Sequence, residues 1–263
     1  MIKALQRGVS VLQAVNHLNG AKPAEIADAT GIPRPSVYRL LETLEEMGLV
    51  CKDHFLNKWR PTLHVKSLSS GYRDEDWVCQ VAVRHMIELG RRVLWPIDLV
   101  TLRNYHMEVR ESTHQLSPYS VHHGIVGREM PVLGTSSGRV ILAYMPEDER
   151  KNFLDLLSEI TGQKQPFVLK DGELNAILDY VRELGVGFRR ADFTPETGSI
   201  SAPIWYEDRI FACLTMVWST KSLQFDRAIK LYRESLLETA DKISRDLVGN
   251  LTAIEIAEFQ AAS

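Results

Sequence analysis

No run of this chain is apolar for long enough to cross a bilayer, and the apolar residues near its start are broken by Gln6, Arg7, Gln13, Asn16 and His17. Neither a membrane helix nor a secretory leader is therefore expected. Cysteine is scarce. Cys51, Cys79 and Cys213 are scattered and odd in number, the pattern of reduced thiols in a cytoplasmic protein. Histidine is missing from the second half, since all eight lie at or before His123. That matters because Gly134-Thr135-Ser136-Ser137-Gly138 fits G-x-S-x-G. A hydrolase built on that turn needs its histidine after the serine in chain order. Gly185-Val186-Gly187 lacks the third glycine and following helix of a dinucleotide fingerprint. Glu111, His114, His122 and His123 do not have a spacing diagnostic of a metal site. No internal repeat or low-complexity tract is present. No catalytic residue, cofactor or metal is expected.

What is present begins at Pro23. A proline suits a first helical position, where its missing N–H would be unpaired anyway, and Ala24, Ile26 and Ala27 give a short helix its apolar face. Gly31 falls where the chain must turn, and Ile32 can plug the gap behind it. Val37, Leu40, Leu41, Leu44 and Met47 then recur at helical spacing, with Pro33 and Pro35 fixing the start and Gly48 the end. The other face offers Arg34, Ser36, Tyr38, Arg39 and Thr43. Arginine can pair with phosphate or read guanine, and the hydroxyls can donate to phosphate or base edges. Leu49 to Leu63 reads as two short strands around a polar tip, with Lys52, Lys58 and Arg60 along it. A basic hairpin directly after such a helix is the wing of a winged helix-turn-helix, laid along the sugar-phosphate backbone. An earlier amphipathic helix with Leu5, Val9, Leu12 and Val15 is expected to pack behind the pair.

Charge follows the same division. Met1 to Lys66 carries nine Lys/Arg against six Asp/Glu, a net of +3, which leaves 22 against 28, or −6, for the remainder. Three excess charges make a modest footprint for double-stranded DNA, so paired heads in a homodimer are expected on a pseudo-palindromic operator.

Residues 1–65 are read as the DNA-binding domain, 66–77 as a linker weakened by Ser67, Ser69, Ser70 and Gly71, and 78–263 as a second domain. A helix to about Arg92 buries Val78, Val81, Ala82, His85, Met86 and Leu89. Strands follow in PIDLVTL and YHMEVRE. Helices are expected over 136–144, 148–157 and 172–184, the last closed by Gly185. Two more strands, SISAPIW and RIFACLTMVW, turn at Tyr206 to Asp208. A closing helix uses Ala228, Leu231, Leu236, Ile243 and Leu247. Antiparallel strands flanked by helices make an α+β domain.

Val126-Gly127-Arg128, Pro131, Thr135, Gly138, Leu142, Ala143 and Ile200-Ser201-Ala202-Pro203, with the head above, resemble the IclR family of transcriptional regulators along essentially the whole chain. Gly71-x-Arg73-Asp74-Glu75-x-Trp77, Trp95-Pro96-x-Asp98 and Val109-Arg110-Glu111-x-Thr113-His114 look most similar to a subgroup of that family, the activators of hydroxyphenylpropionate catabolism. Ser117, Ser120, His122 and Pro146-Glu147 add to that likeness. The resemblance implies a winged helix-turn-helix domain joined by a linker helix to a GAF-like effector-binding domain. It also implies an effector-responsive DNA-binding regulator rather than an enzyme. It places effector-binding positions on Ser136, Ser137, Arg189, Ser199 and Thr215, with Arg110 and His122 as further polar candidates. Ser136 and Ser137 open a helix, where free N–H groups favour a carboxylate. Arg189 stands where glyoxylate-sensing relatives are expected to carry an acid. That argues against a small keto acid and for an effector with an extra anionic group, held through two parallel hydrogen bonds. Trp95, Met107, Met216 and Trp218 are candidate walls for an aromatic ring. The expected effector is an aromatic carboxylic acid. The subgroup likeness leans toward an activator of an aromatic-acid catabolic operon; the alternatives are a ligand-released repressor and, from another class, a small-molecule-binding or hydrolytic protein with an incidental helical head.

Overall fold

The computed structural model describes residues 2–53, 55–69, 77–120, 124–161, 172–190 and 194–261, with backbone alone at 69, 77, 161 and 250–261. Its contacts divide the chain into two compact units. Met1–Glu75 with His122–Ile125 forms one, and Asp76–Val121 with Val126–Ser263 the other.

The first unit runs α1 (Lys3–His17), α2 (Pro23–Thr30), α3 (Arg34–Glu46), β1 (Val50–Asp53), β2 (Lys58–Pro61) and a 3-10 helix at Leu63–Ser69. Pro23 takes the first position of α2, and the Lys22 N–H donates to Glu25 Oε2 at 2.7 Å. Gly31 closes α2 at φ +66°, left-handed backbone in which a β-carbon is strained. Ile32 is buried directly after it, beside Ile26, Val37, Leu41 and Leu44. Each such side chain removed from water stabilises the fold by about 1.5–3 kcal/mol. The hairpin is anchored to this core: Trp59 is buried, and its backbone exchanges two hydrogen bonds with Ala21, 2.9 and 2.8 Å.

Three expectations for this unit are corrected. The inner face of α1 is Val11 and Val15, with Leu12 half-buried, while Leu5 and Val9 are exposed at 65% and 47%. The helix carries two apolar stripes, and Ile2, Leu5 and Val9 at i, i+3 and i+7 make the outward one. Met47 falls at the C-cap of α3, past the last inward turn, and is exposed. The wing tip is apolar rather than polar, because Phe55 and Leu56 stand out in solvent.

The second unit starts with α4 (Trp77–Val93), which buries Val78, Ala82, His85, Met86 and Leu89 much as the periodicity indicates. Six antiparallel strands form one sheet, in the order β5-β4-β3-β8-β7-β6. They are β3 (Ile97–Arg103), β4 (His106–Ser112), β5 (Glu129–Pro131), β6 (Gly187–Arg189), β7 (Thr197–Tyr206) and β8 (Arg209–Ser219). Helices α5 (Ser136–Tyr144), α6 (Glu147–Thr161), α7 (Glu173–Leu184) and α8 (Phe225–Ala261) complete the α+β fold. α6 outruns the expected end at 157, and β5 and β6 are three-residue strands that the sequence does not announce. Leu231 lies on the outer side of α8, half exposed, and Ala240 joins Ala228, Leu236, Ile243 and Leu247 inside. Among the described residues no helix is long and apolar enough to cross a membrane.

Alternation along the strands gives the sheet two unlike faces. Ile97, Leu99, Leu214, Met216, Ile200 and Ala202 pair across one of them, and Ile97 meets Gly90 of α4 there. Asp98, Thr215 and Ser201 line up across the other. Helix α5 covers that face, with the Cys213 thiol donating to the Ser137 carbonyl at 3.6 Å. The approach is close enough to forbid side chains. A β-carbon on Gly138 would lie 1.9 Å from the Val132 oxygen, and one on Gly187 would lie 2.0 Å from the Ser136 oxygen.

Candidate functional site

The candidate nucleic-acid face is built on α3. Pro33 is its N-cap and accepts from the N–H groups of Ser36 and Val37 at 2.8 and 3.1 Å, which leaves Arg34 at the open end of the helix. Arg34 reaches over the Tyr38 ring, 6.0 Å from its centroid, so the two form one exposed edge. Arg39 is exposed on the same helix, and Ser36 is half-buried. Thr43 donates its hydroxyl to the Arg39 carbonyl at 3.0 Å, so it keeps acceptor capacity and has spent its donor. In the wing, Cys51 pairs with Arg60, and Asp53 with Lys58, so Lys58 and Arg60 share a face. Lys52 pairs with Trp59 on the opposite face. Arg60 Nε lies 3.4 Å from Asp53, both partly exposed. A pair of that kind is weak, about 0–1 kcal/mol, and a phosphate can compete for it.

The second site starts at the N-terminus of α5. Thr135 caps the helix, its Oγ1 accepting from the Gly138 N–H at 3.2 Å. Ser136 and Ser137, both 1% exposed, provide the first two helical N–H groups at the positive end of the helix dipole. Their surroundings are hydroxylic. Ser136 Oγ bonds Ser199 Oγ at 2.8 Å and Ser201 Oγ at 2.7 Å, and Ser201 Oγ bonds Thr215 Oγ1 at 2.7 Å. The expected Ser136, Ser199 and Thr215 thus form one chain, Ser199 bonded to Ser136 directly and Thr215 joined to it through Ser201, a hub that position-by-position reading missed.

The polar row continues on β3 and β4. Ser112 donates to Asp98 Oδ1 at 2.7 Å, and His114 Nε2 is 3.7 Å from Asp98 Oδ2. His114 Nδ1 meets Ser120 Oγ at 2.7 Å. Asp98 and His114 are each 4% exposed, so this is an interior polar cluster. A lone acid inside the apolar run PIDLVTL was the signal available for it. Leu99 pairs with Glu111 and Val100 with Val109, which makes Arg110 the bulged residue beside the cluster, and it is buried. Burial pushes the Cys213 thiol up, so it stays neutral and inert beneath α5.

Arg189 is placed in the same sheet but is occupied locally. Its guanidinium donates to the carbonyls of Thr194 and Thr197, 3.1 and 2.6 Å, and to Thr197 Oγ1 at 2.8 Å. It ties down the approach to β7. His122 lies outside the described residues. Of the expected ring walls, Met216 and Trp218 flank Thr215 by one and three residues and therefore point to the opposite face. Met107 pairs with Leu102, on the Asp98 face, and Trp95 packs on Tyr119 at 4.9 Å. Ser136 bonds serines, so the G-x-S-x-G reading yields a helix start. Among the described residues no group of three His, Cys, Asp or Glu could hold a metal ion.

The two-unit fold agrees with the comparisons. Residues 4–54 match the IclR helix-turn-helix domain, and residues 72–245 match the C-terminal domain of the bacterial transcriptional regulator IclR. The chain belongs to the IclR family. It is a DNA-binding transcriptional regulator with an effector-binding domain, and not an enzyme. The regulator KdgR of Escherichia coli K12 is 25% identical over 252 residues, covering 94% of this chain and 93% of KdgR. The DNA-binding transcriptional repressor YiaJ of the same organism is 22% identical over 259 residues, covering 93% and 88%. An IclR homolog from Microbacterium hydrocarbonoxydans, solved in complex with 4-hydroxybenzoate, shares the fold at a TM-score of 0.55. It is 21% identical and is covered in full by 94% of this chain.

Proposed function

We propose that this IclR-family regulator binds a pseudo-palindromic operator as a homodimer or dimer of dimers, in the cytoplasm, and senses an aromatic carboxylic acid. In this reading residues 1–65 bind DNA, 66–77 link, and 78–263 hold the effector. Arg34, Ser36, Tyr38 and Arg39 approach base edges, while Lys52, Lys58 and Arg60 meet phosphate. The outward stripe of α1, Ile2, Leu5 and Val9, supports self-association, since a row of exposed aliphatic side chains is stabilised by a partner.

The observation that carries the effector reading is the hydroxyl chain at α5. Ser136, Ser199, Ser201 and Thr215 have four hydroxyl hydrogens and share three hydrogen bonds. One hydrogen is left for an acceptor outside the chain, and the N–H groups of Ser136 and Ser137 stand at the start of the helix that carries Ser136. A carboxylate satisfies both. Two strands away, Asp98 and His114 offer partners for a hydroxyl donor, about 10 Å from Ser201 at the usual strand spacing. A ring bearing a carboxylate at one end and a hydroxyl at the other matches that polarity. The 4-hydroxybenzoate complex of the Microbacterium relative is consistent with it, as is the hydroxyphenylpropionate likeness of the sequence motifs. Arg189, committed to the 194–197 segment, shapes this site from the side.

The subgroup likeness favours an activator of an aromatic-acid catabolic operon. The relative YiaJ, a repressor, keeps a ligand-released repressor as the second reading. A thermal-shift screen of hydroxylated aromatic acids, each beside its neutral amide, tests the effector. At 100 times its dissociation constant a true binder stabilises by about 2.7 kcal/mol. Equal shifts with acid and amide would refute the carboxylate anchor. Transcription in vitro from the bound promoter, with and without that acid, decides between activator and repressor.

A further inference from the structure

The wing ends in an aromatic ring that none of the described residues covers. Phe55 is 101% exposed and Leu56 53%. The tip is built to hold them there. Asp53 Oδ1 accepts from the N–H groups of Phe55 and Leu56 at 3.0 and 3.1 Å, and Asn57 turns the chain back at φ +50°. The other carboxylate oxygen of Asp53 faces Arg60, and Trp59 fixes the base of the hairpin in the core. A fully solvated phenyl ring on a pinned turn is unusual for a surface loop, where polar residues prevail.

Its neighbours narrow the occupant. Lys58 follows the tip, Arg60 shares its face, and Lys52 lies on the facing strand. An apolar ring among cations is complementary to a polyanion with an apolar interior, which describes duplex DNA. The hairpin follows α3 directly, so with α3 in the major groove the wing meets the next groove along. Four-residue strands extend the tip by about 13 Å, enough to pass the intervening phosphate ridge. Phenylalanine has no group with which to hold a phosphate. Against sugars and base edges it can act as a wedge, which opens most easily at flexible pyrimidine–purine steps.

We propose that Phe55, backed by Leu56, is a minor-groove wedge that selects deformable steps flanking the operator half-site. The proposal rests on the placement of α3 in the major groove and adds a determinant that reads DNA by shape, without hydrogen bonds.

The test uses the full chain and duplexes recovered by in-vitro selection on it, titrated by fluorescence anisotropy over a range of salt. Phe55→Ala should weaken binding by about 5- to 150-fold, the scale of losing one aromatic contact to a base, with the salt slope unchanged because no charge is removed. Lys58→Ala should instead reduce the slope by about 0.9. Phe55→Trp should restore binding. Duplexes carrying 2-aminopurine through the flanks should brighten at one step with the wild type and not with Phe55→Ala, as local unstacking requires. An unaltered thermal midpoint for Phe55→Ala would show that any loss is local. Wild-type affinity in Phe55→Ala, a changed salt slope, or no brightening would each overturn the wedge. So would altered sedimentation of Phe55→Ala without DNA, which would assign the ring to a second copy of the chain. Arg39→Ala separates the two layers of the argument. If it loses binding and Phe55→Ala does not, the wedge alone falls; if neither does, the placement of α3 falls with it.

Discussion

Replacing Gly138 by alanine tests the architecture of the proposed effector site at its tightest point. The added β-carbon would stand 1.9 Å from the Val132 carbonyl oxygen, and 2.7 and 2.8 Å from Val132 C and Cα. Carbon and oxygen rest at about 3.3 Å even in a favourable C–H···O contact, so α5 and the 131–132 segment must separate by about 1.4 Å. The obstacle is main chain, and no rotamer change relieves it. Overpacking of this kind costs about 1–3 kcal/mol, and an obstacle of backbone puts Gly138→Ala near the top of that range. For a unit of this size about 3 kcal/mol lowers the midpoint by about 6–12 °C.

The displaced end of α5 is the one that presents the Ser136 and Ser137 N–H groups and the Ser136 hydroxyl. Effector affinity should therefore fall together with stability. Gly249→Ala is the internal control, because its β-carbon meets nothing within 4 Å. In a helix it should be neutral or stabilise by up to about 1 kcal/mol. Scanning calorimetry on the two variants, followed by titration with the acid found in the screen, makes the comparison. A midpoint within 2 °C (about 0.5–1 kcal/mol) for Gly138→Ala would refute the close approach of α5 on which the site is built.

Three further outcomes follow from the same geometry. Ser201→Ala removes the hub of the hydroxyl chain and leaves the buried Thr215 hydroxyl without its Ser201 partner; we expect a loss of about 2–3 kcal/mol in urea unfolding, and a change under 0.5 would contradict the network. The pair Arg34→Ala and Arg39→Ala should weaken operator binding by about 1–3 kcal/mol per lost base contact and reduce the salt slope, while leaving the acid-induced thermal shift intact. Alkaline pH should destabilise the protein through Cys213, whose folded thiol is raised by burial while the unfolded thiol ionises near its ordinary value of 9.0. The stability that Cys213 contributes is thus fully present below about pH 9 and declines above it, by up to about 1.4 kcal/mol per pH unit. Cys213→Ala should remove that component. It should leave the slope from Tyr144, whose phenol is raised by burial and partly offset by Arg182.

Local chemistry made the head readable. Pro23, Gly31 and Gly48 punctuate it, and Val37, Leu41 and Leu44 keep a helical period, so its helices could be placed without tertiary information. Its wing tip departs from the polar loop expected, although Phe55 and Leu56 are visible in the sequence. In the second unit the long strands were legible, whereas β5 and β6 are too short for any period to show. The hydroxyl chain depends on residues 63 and 65 positions apart, Ser136 with Ser199 and Ser201. No local pattern links them, although Ser-x-Ser in SISAPIW does place two hydroxyls on one face. The same alternation excludes Met216 and Trp218 as neighbours of the Thr215 side chain, and applying it strictly would have removed them as ring walls.

Whether this site can control DNA binding is a question of magnitude. Swinging a regulator from one part in a hundred to ninety-nine requires a ligand to prefer one state by about 5.5 kcal/mol. An effector that binds both states equally shifts nothing, however tight it is. Hydrogen bonds to a charged group contribute about 1.5–3 kcal/mol each. The two N–H groups of α5 and the spare hydroxyl hydrogen together contribute about 4.5–9 kcal/mol, a range that spans the requirement, provided that they converge in one state and separate in the other. Gly138 and Gly187 make such a division physical. With backbone in contact on both sides, α5 cannot drift by fractions of an ångström at low cost; it is seated, or it is displaced and its hydroxyl chain broken. A carboxylate that needs the seated form is therefore bound by a nearly all-or-none element. Its neutral amide, which loses the charge assistance, should fall short of the 5.5 kcal/mol and leave transcription unmoved even where it occupies the site.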